Sequence, residues 1–307
     1  MIIILVFIKT VTFVLIILSL ILTNLFTYMK QLIISAGLLL FSLQAALSQE
    51  PINCKPVHLA CDHLVAPLGV DNSTPRLSWQ LRDKRQGARQ TAYQIIVGND
   101  SLEVVNNQGK IWDSGKQHSE QMLVTYAGKE LHPFTKYYWK VRAWDKDWVV
   151  VSSCVSTFET GMMKMSNWQG AWIGDGRDIH YRPAPYFRKV FEANKKIKSA
   201  RAYIAVAGLY ELYINGEKIG NHRLDPLYTR FDRRNFYVTY DVTSQLKEGR
   251  NAIGVLLGNG WYNHQSMGVW DFHRAPWRNR PTFCMDLRIT YKDGTVEVIP
   301  TERDWKT

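Results

Sequence analysis

Hydrophobic positions along this chain recur mostly with period two, the spacing of a strand that buries one face. Residues 137–144 show it well: Tyr137, Trp139, Val141 and Ala143 share one face, and Tyr138, Lys140, Arg142 and Trp144 the other. Residues 283–291 repeat it, with Phe283, Met285, Leu287, Ile289 and Tyr291 predicted inward and Cys284, Asp286, Arg288 and Thr290 opposite. Shorter runs predict strands over 76–79, 92–97, 156–160, 209–214, 237–242, 252–257 and 295–299. Turn signals separate them: Asn215-Gly216, Glu248-Gly249 and Lys292-Asp293-Gly294. Asn-Gly is the strongest of these, because a two-residue hairpin needs positive φ at both central positions. Few windows carry apolar residues at helical spacing, so the predicted fold is all-β, in two antiparallel sandwiches. The first spans residues 51–161 and the second 171–307, with a linker over 161–170. The pattern breaks off at Asp304 to Thr307 without a capping element, as in a second sandwich truncated at its C-terminal end.

Two apolar segments precede the sandwiches. Residues 1–28 are Ile, Leu, Val and Phe almost throughout, with Lys9 as the lone charge. They read either as a start placed too far upstream or as a membrane anchor, since their length can span a bilayer. Residues 29–48 form a complete export signal: Met29-Lys30, an apolar stretch over 32–43, then Ala46-Leu47-Ser48 with small residues at both cleavage-determining positions. The expected location is therefore periplasmic or extracellular, membrane-anchored if residues 1–28 belong to the protein.

Export permits disulfides, and Cys54 with Cys61 could close a small loop. Cys54, His58, Cys61 and His63 also cluster, but their spacing fits no standard zinc pattern, so no metal ligands are assigned. The net charge of +11 raises nucleic acid as a partner. Lys and Arg are dispersed, however, and the one tight run, Lys195-Lys196-Ile197-Lys198, suits a solvated hairpin, so nucleic acid is not expected. An acidic polysaccharide is the better match to that charge.

The first sandwich resembles a fibronectin type III or immunoglobulin-like domain. Across both, the chain resembles the N-terminal part of bacterial α-L-rhamnosidases of glycoside hydrolase family 78. The resemblance rests on PLGVDNSTPRLSW (67–79), AYQIIV (92–97), IWDSGK (111–116), YYWKVRAWD (137–145), FETG (158–161), WIG (172–174), APYFRKVF (184–191), GLYELYINGEKIG (208–220), LDPLYTRFDRR (224–234) and YDVTSQLKEGRNAIGVLLGNGWY (240–262). The second sandwich also resembles the galactose-binding-like jelly rolls of other glycosidases. One departure shows at residues 147–153, DWVVVSS, where the family usually has Gly and Trp-Ser; it puts that hairpin in question. The resemblance implies hydrolysis of terminal α-L-rhamnose with inversion, by a pair of acidic residues in a later (α/α)6 barrel. The acidic motifs of that barrel do not occur here. No catalytic residue is assigned, the chain alone is expected to be inactive, and the implied partners are a rhamnose-containing glycan and a C-terminal catalytic domain of the same protein.

A sugar offers a C–H face for aromatic rings and hydroxyls for polar side chains. Residues 259–280 supply both: Trp270 and Trp277 as stacking candidates, Asp271, His273, Arg274 and Arg278 as polar ones. The same rings would serve equally to pack the loop onto a neighbouring domain. Asp225, Tyr228, Arg230 and Asp232 form a second candidate edge, which cross-strand ion pairs would also explain. Related jelly rolls bind rhamnose, some with calcium, but no set of six or more oxygens can be assembled from the sequence and no cofactor is assigned. A free-standing carbohydrate-binding module and an adhesion or interaction sandwich remain alternatives, since fold does not fix function.

Overall fold

Alternation places the strands where one-sided burial demands them. The computed structural model describes residues 55–268 and 270–307, with Met29 alone ahead of them. Residues 1–28, most of the 29–48 export signal and Cys54 lie outside the described residues. Among the described residues no helix is long and apolar enough to cross a membrane.

The first sandwich contains β1 (Lys55–Cys61), β2 (Leu68–Val70), β3 (Arg76–Arg82), β4 (Gln90–Gly98), the short helix α1 (Ser101–Val105), β5 (Trp112–Asp113), β6 (Leu123–Thr125), β7 (Lys136–Asp145), β8 (Val150–Ser152) and β9 (Ser156–Thr160). One sheet runs β1-β3-β6; the other runs β2-β9-β7-β4-β5, with β8 paired to β7. Their facing sides bury Leu77, Trp79, Ile95, Val97, Tyr137, Trp139, Val141 and Phe158. On the far side of β7, Lys140 is buried as well, because its ammonium donates to the Val105 carbonyl at the end of α1, 2.7 Å away. The questioned hairpin at 147–153 does form. The Asp145 carboxylate accepts from the Asp147 and Val149 amides, both at 2.9 Å, and Trp148 takes φ 64°, so the turn closes without the family's Gly.

The second sandwich contains β10 (Tyr186–Ala193), β11 (Ile197–Ala207), β12 (Leu209–Ile214), β13 (Glu217–Lys218), β14 (Tyr237–Asp241), β15 (Gly249–Gly258), β16 (Thr282–Tyr291) and β17 (Val296–Pro300). Its sheets run β10-β15-β12-β13 and β14-β11-β16-β17. The β12–β13 turn is Asn215-Gly216, at φ 52° and 86°. Asn215 also braces the turn from outside: its Oδ1 accepts from the Ala252 amide and its Nδ2 donates to the Gln245 carbonyl. Phe187, Leu212, Ile214, Ile253, Val255 and Leu257 meet Ile204, Val206, Phe283, Met285, Leu287 and Ile289 between the sheets.

Half of the predicted outer face of β16 is not solvated. Cys284 and Asp286 are both buried, because residues 161–173 fold back along the strand. Asp286 accepts from the Gln169 and Gly170 amides at 2.9 and 2.7 Å, Cys284 donates to the Gly170 carbonyl at 3.1 Å, and Ile173 bridges Phe283. The first sandwich adds partial cover at Arg288 and at neighbouring β11. Phe134 meets Tyr203 edge-on at 5.6 Å and lies 4.2 Å beneath the Arg288 guanidinium. Arg201, half-buried, grips the buried Glu159 with two hydrogen bonds, 2.8 and 2.9 Å. Both sandwiches accordingly fall in one compact unit, 55–82 with 86–307.

Candidate functional site

Between β15 and β16 the chain leaves the sheet for residues 259–280. Its anchor is Asn263, fully buried. The Asn263 Nδ2 donates to the Ile179 carbonyl at 3.1 Å and its Oδ1 accepts from Arg278 Nε at 3.0 Å. Arg278 then reaches the His273 carbonyl at 3.0 Å, so this candidate sugar ligand is instead a brace inside the loop. Arg280 does the same at the loop's base: buried, it donates to the Asp175 carboxylate, the Tyr181 carbonyl and the Pro183 carbonyl. Burial alone would raise the Asp175 carboxyl, yet the Arg280 bond and charge hold it below the usual carboxylate range.

With the backbone fixed this way, aromatic rings gather over it. Phe272 lies at the centre, 5.4 Å from Trp261, 5.8 Å from Tyr228, 6.0 Å from Trp270 and 6.1 Å from Trp277. Phe231, buried, closes the cluster against Tyr228, Tyr262 and Trp277. The two tryptophans singled out in the sequence therefore separate. Trp277 is half-buried between Phe231 and Phe272, a packing residue, whereas Trp270 is 82% exposed and Trp261 beside it 40% exposed. Asp271 and Arg274 are exposed at the same tip, while the His273 ring is turned inward.

The second candidate edge divides too. Tyr228 joins the aromatic cluster. Asp225 accepts from Tyr240 at 3.4 Å and bonds His222 Nδ1 at 2.9 Å, an edge that borders a shallow recess of about 340 Å³. Arg230 and Asp232 grip each other through two hydrogen bonds, 2.9 and 3.0 Å, the ion pair that the sequence also allowed. No group of three or more His, Cys, Asp or Glu able to hold a metal occurs among the described residues. Burial pushes the Cys61 thiol up to about 12, with Asp62 adding to it, which makes it a poor metal ligand or nucleophile.

A larger cleft was not legible in the sequence. About 670 Å³ in volume, it opens where the linker meets both sandwiches. Trp168 and Trp172 of the linker, Arg233, Arg234 and Tyr237 of the second sandwich and Asp71 of the first are among the residues that line it. Trp172 enters the sequence reading only within the WIG motif at 172–174. The adjacent arginines next to Phe231 were the available signal.

The two sandwiches match two family descriptions in order. Residues 56–164 match the Rha78A-like N-terminal immunoglobulin domain, and residues 195–307 match the alpha-L-rhamnosidase N-terminal domain. An alpha-L-rhamnosidase of Formosa agariphila is 33% identical over 279 residues, covering 78% of this chain and 28% of that protein. One from Alteromonas sp. is 32% identical over 268 residues, covering 83% and 29%. The solved structure of an alpha-L-rhamnosidase from Dictyoglumus thermophilum superposes with a TM-score of 0.74 at 40% identity, covering 82% of this chain and 29% of that one. The chain thus spans less than a third of the length of these relatives. It carries, in order, the two N-terminal β-domains of the α-L-rhamnosidase family.

Proposed function

We propose that this chain is the accessory region of an exported α-L-rhamnosidase, periplasmic or extracellular, whose substrate is a glycan or glycoside ending in α-L-rhamnose. In this reading the second sandwich aids substrate recognition, and hydrolysis belongs to a further domain of the same protein. The supporting observation is the recurrence of both sandwiches, in this order, in alpha-L-rhamnosidases about three times as long. Recognition would use the exposed Trp270 and Trp261 rings, with Asp271 and Arg274 beside them at the tip.

The chain alone is expected not to cut. Inversion needs two carboxyl groups roughly 6.5–9.5 Å apart, one of them protonated at the start of the reaction. Asp175 is bound to Arg280, Asp232 to Arg230, and Glu159 to Arg201. Asp286 is the carboxyl that burial raises, but it is sealed beneath Gln169 and Gly170. The test is release of nitrophenol from a nitrophenyl α-L-rhamnoside by the purified chain. None is expected, and steady turnover that survives repurification would overturn the division of labour.

A further inference from the structure

We propose that the cleft at the junction of the two sandwiches binds a carboxylate-bearing saccharide, a uronic acid unit of an acidic glycan. The proposal rests on the carbohydrate-recognition reading above, but uses different residues. Three cations border the cleft: Lys164, Arg233 and Arg234, all exposed. Among the described residues neither Lys164 nor Arg233 has a side-chain partner, and Arg234 only stacks against Phe236, 6.0 Å from its ring.

The nearby acids are already engaged, and the three cations outnumber the one lining acid, Asp71, that has no arginine partner. Asp232 is neutralised by Arg230. Asp71 already accepts the Tyr237 phenol at 2.6 Å and the Met163 amide at 2.7 Å. An arginine pair without a carboxylate of its own is suited to a carboxylate brought by a ligand, which it can bind with paired, charge-assisted hydrogen bonds.

The arginines are also held in place. Arg233 and Arg234 sit on a turn whose amides both donate to the Arg230 carbonyl, at 2.8 and 3.0 Å. Asn235 ties back to the Phe231 carbonyl, and Phe231 is buried in the aromatic cluster. Trp172 lines the same cleft, is 45% exposed and supplies a flat apolar face for the sugar ring, and the linker that carries it is fastened to β16 and to Thr301 just after β17. A volume of about 670 Å³ falls in the range of small-ligand clefts.

The experiment is calorimetric titration of the full chain with trigalacturonate, with its methyl ester, and separately with L-rhamnose. Trigalacturonate should bind, and its affinity should fall about tenfold or more in Arg233→Gln/Arg234→Gln and on methyl esterification. Trp172→Ala should weaken it as well. These are surface side chains, and Lys164→Gln, an independent variant on the linker, should weaken binding too. Absence of binding, or equal affinity in wild type and double variant, overturns the proposal. The rhamnose titration is read against Trp270→Ala, so failure there counts against recognition at the aromatic tip and leaves the cleft result standing.

Discussion

Tyr237 of the second sandwich donates its phenol to Asp71 of the first at 2.6 Å, and the same oxygen accepts the Met162 amide at 3.1 Å. Asp71 completes the knot by accepting from Met163. One side chain thus fastens the linker and the first sandwich to β14. Tyr237→Phe keeps the ring contact with Trp168 but leaves the Met162 amide without its acceptor. A loss of about 1–3 kcal/mol is expected, the cost of unpaired polar groups at a covered site. Urea unfolding followed by tryptophan fluorescence measures it; an unchanged midpoint would mean that the knot contributes nothing.

Gly161 makes that knot possible by having no side chain. A Cβ there would lie 2.0 Å from the Tyr237 oxygen and 2.9 Å from the Gly69 Cα. Gly161→Ala should therefore destabilise by about 1–3 kcal/mol through overpacking. Adding Tyr237→Phe removes the nearest clashing atom, so the double variant should lose less than the sum of the two single losses. Strict additivity in the four-protein cycle would argue that the two positions act separately.

The β16 strand shows what periodicity can and cannot reveal. Its inward set, Phe283 through Tyr291, is found in the core as the alternation requires. Its outward set was legible as polar but not as partly covered, because the cover comes from residues 161–173 and from Phe134, far away in sequence. Asn215-Gly216 was readable from local φ requirements alone, whereas the bracing by Asn215 depends on Ala252 and Gln245 from another hairpin. The candidate site follows the same rule. Composition marked the 259–280 loop as aromatic, but only its fold shows that Arg278 points inward to Asn263 and that Trp270 points out.

That separation gives two tryptophans opposite roles. Trp277→Ala opens a gap between Phe231 and Phe272 and should cost about 1–3 kcal/mol, less than a fully buried ring. Trp270→Ala should leave stability within about 0.5 kcal/mol. It should weaken L-rhamnose binding by about 0.5–1.5 kcal/mol, the scale of an aromatic contact. Thermal melts and a rhamnose titration on both variants decide it. Unchanged affinity in a folded Trp270→Ala protein would remove that ring from recognition.

Alkali should unfold the protein by way of its covered phenols. Tyr203, Tyr210 and Tyr237 are all raised above the ordinary tyrosine value, first by burial. Tyr210 gains further from its bond with Tyr240, and Tyr237 from its bond to Asp71. In the unfolded chain such phenols lose their protons near pH 10, whereas in the folded chain they keep them. Folded-state values above the unfolded one mean that this stability is fully present below about pH 10 and drains away as the pH rises further. The urea midpoint should accordingly fall progressively above about pH 10. Tyr237→Phe, less stable at neutral pH, has one fewer such phenol to ionise and should show a shallower alkaline decline. Parallel declines in the variant and the wild type would show that Tyr237 is not among the groups whose ionisation opens the junction.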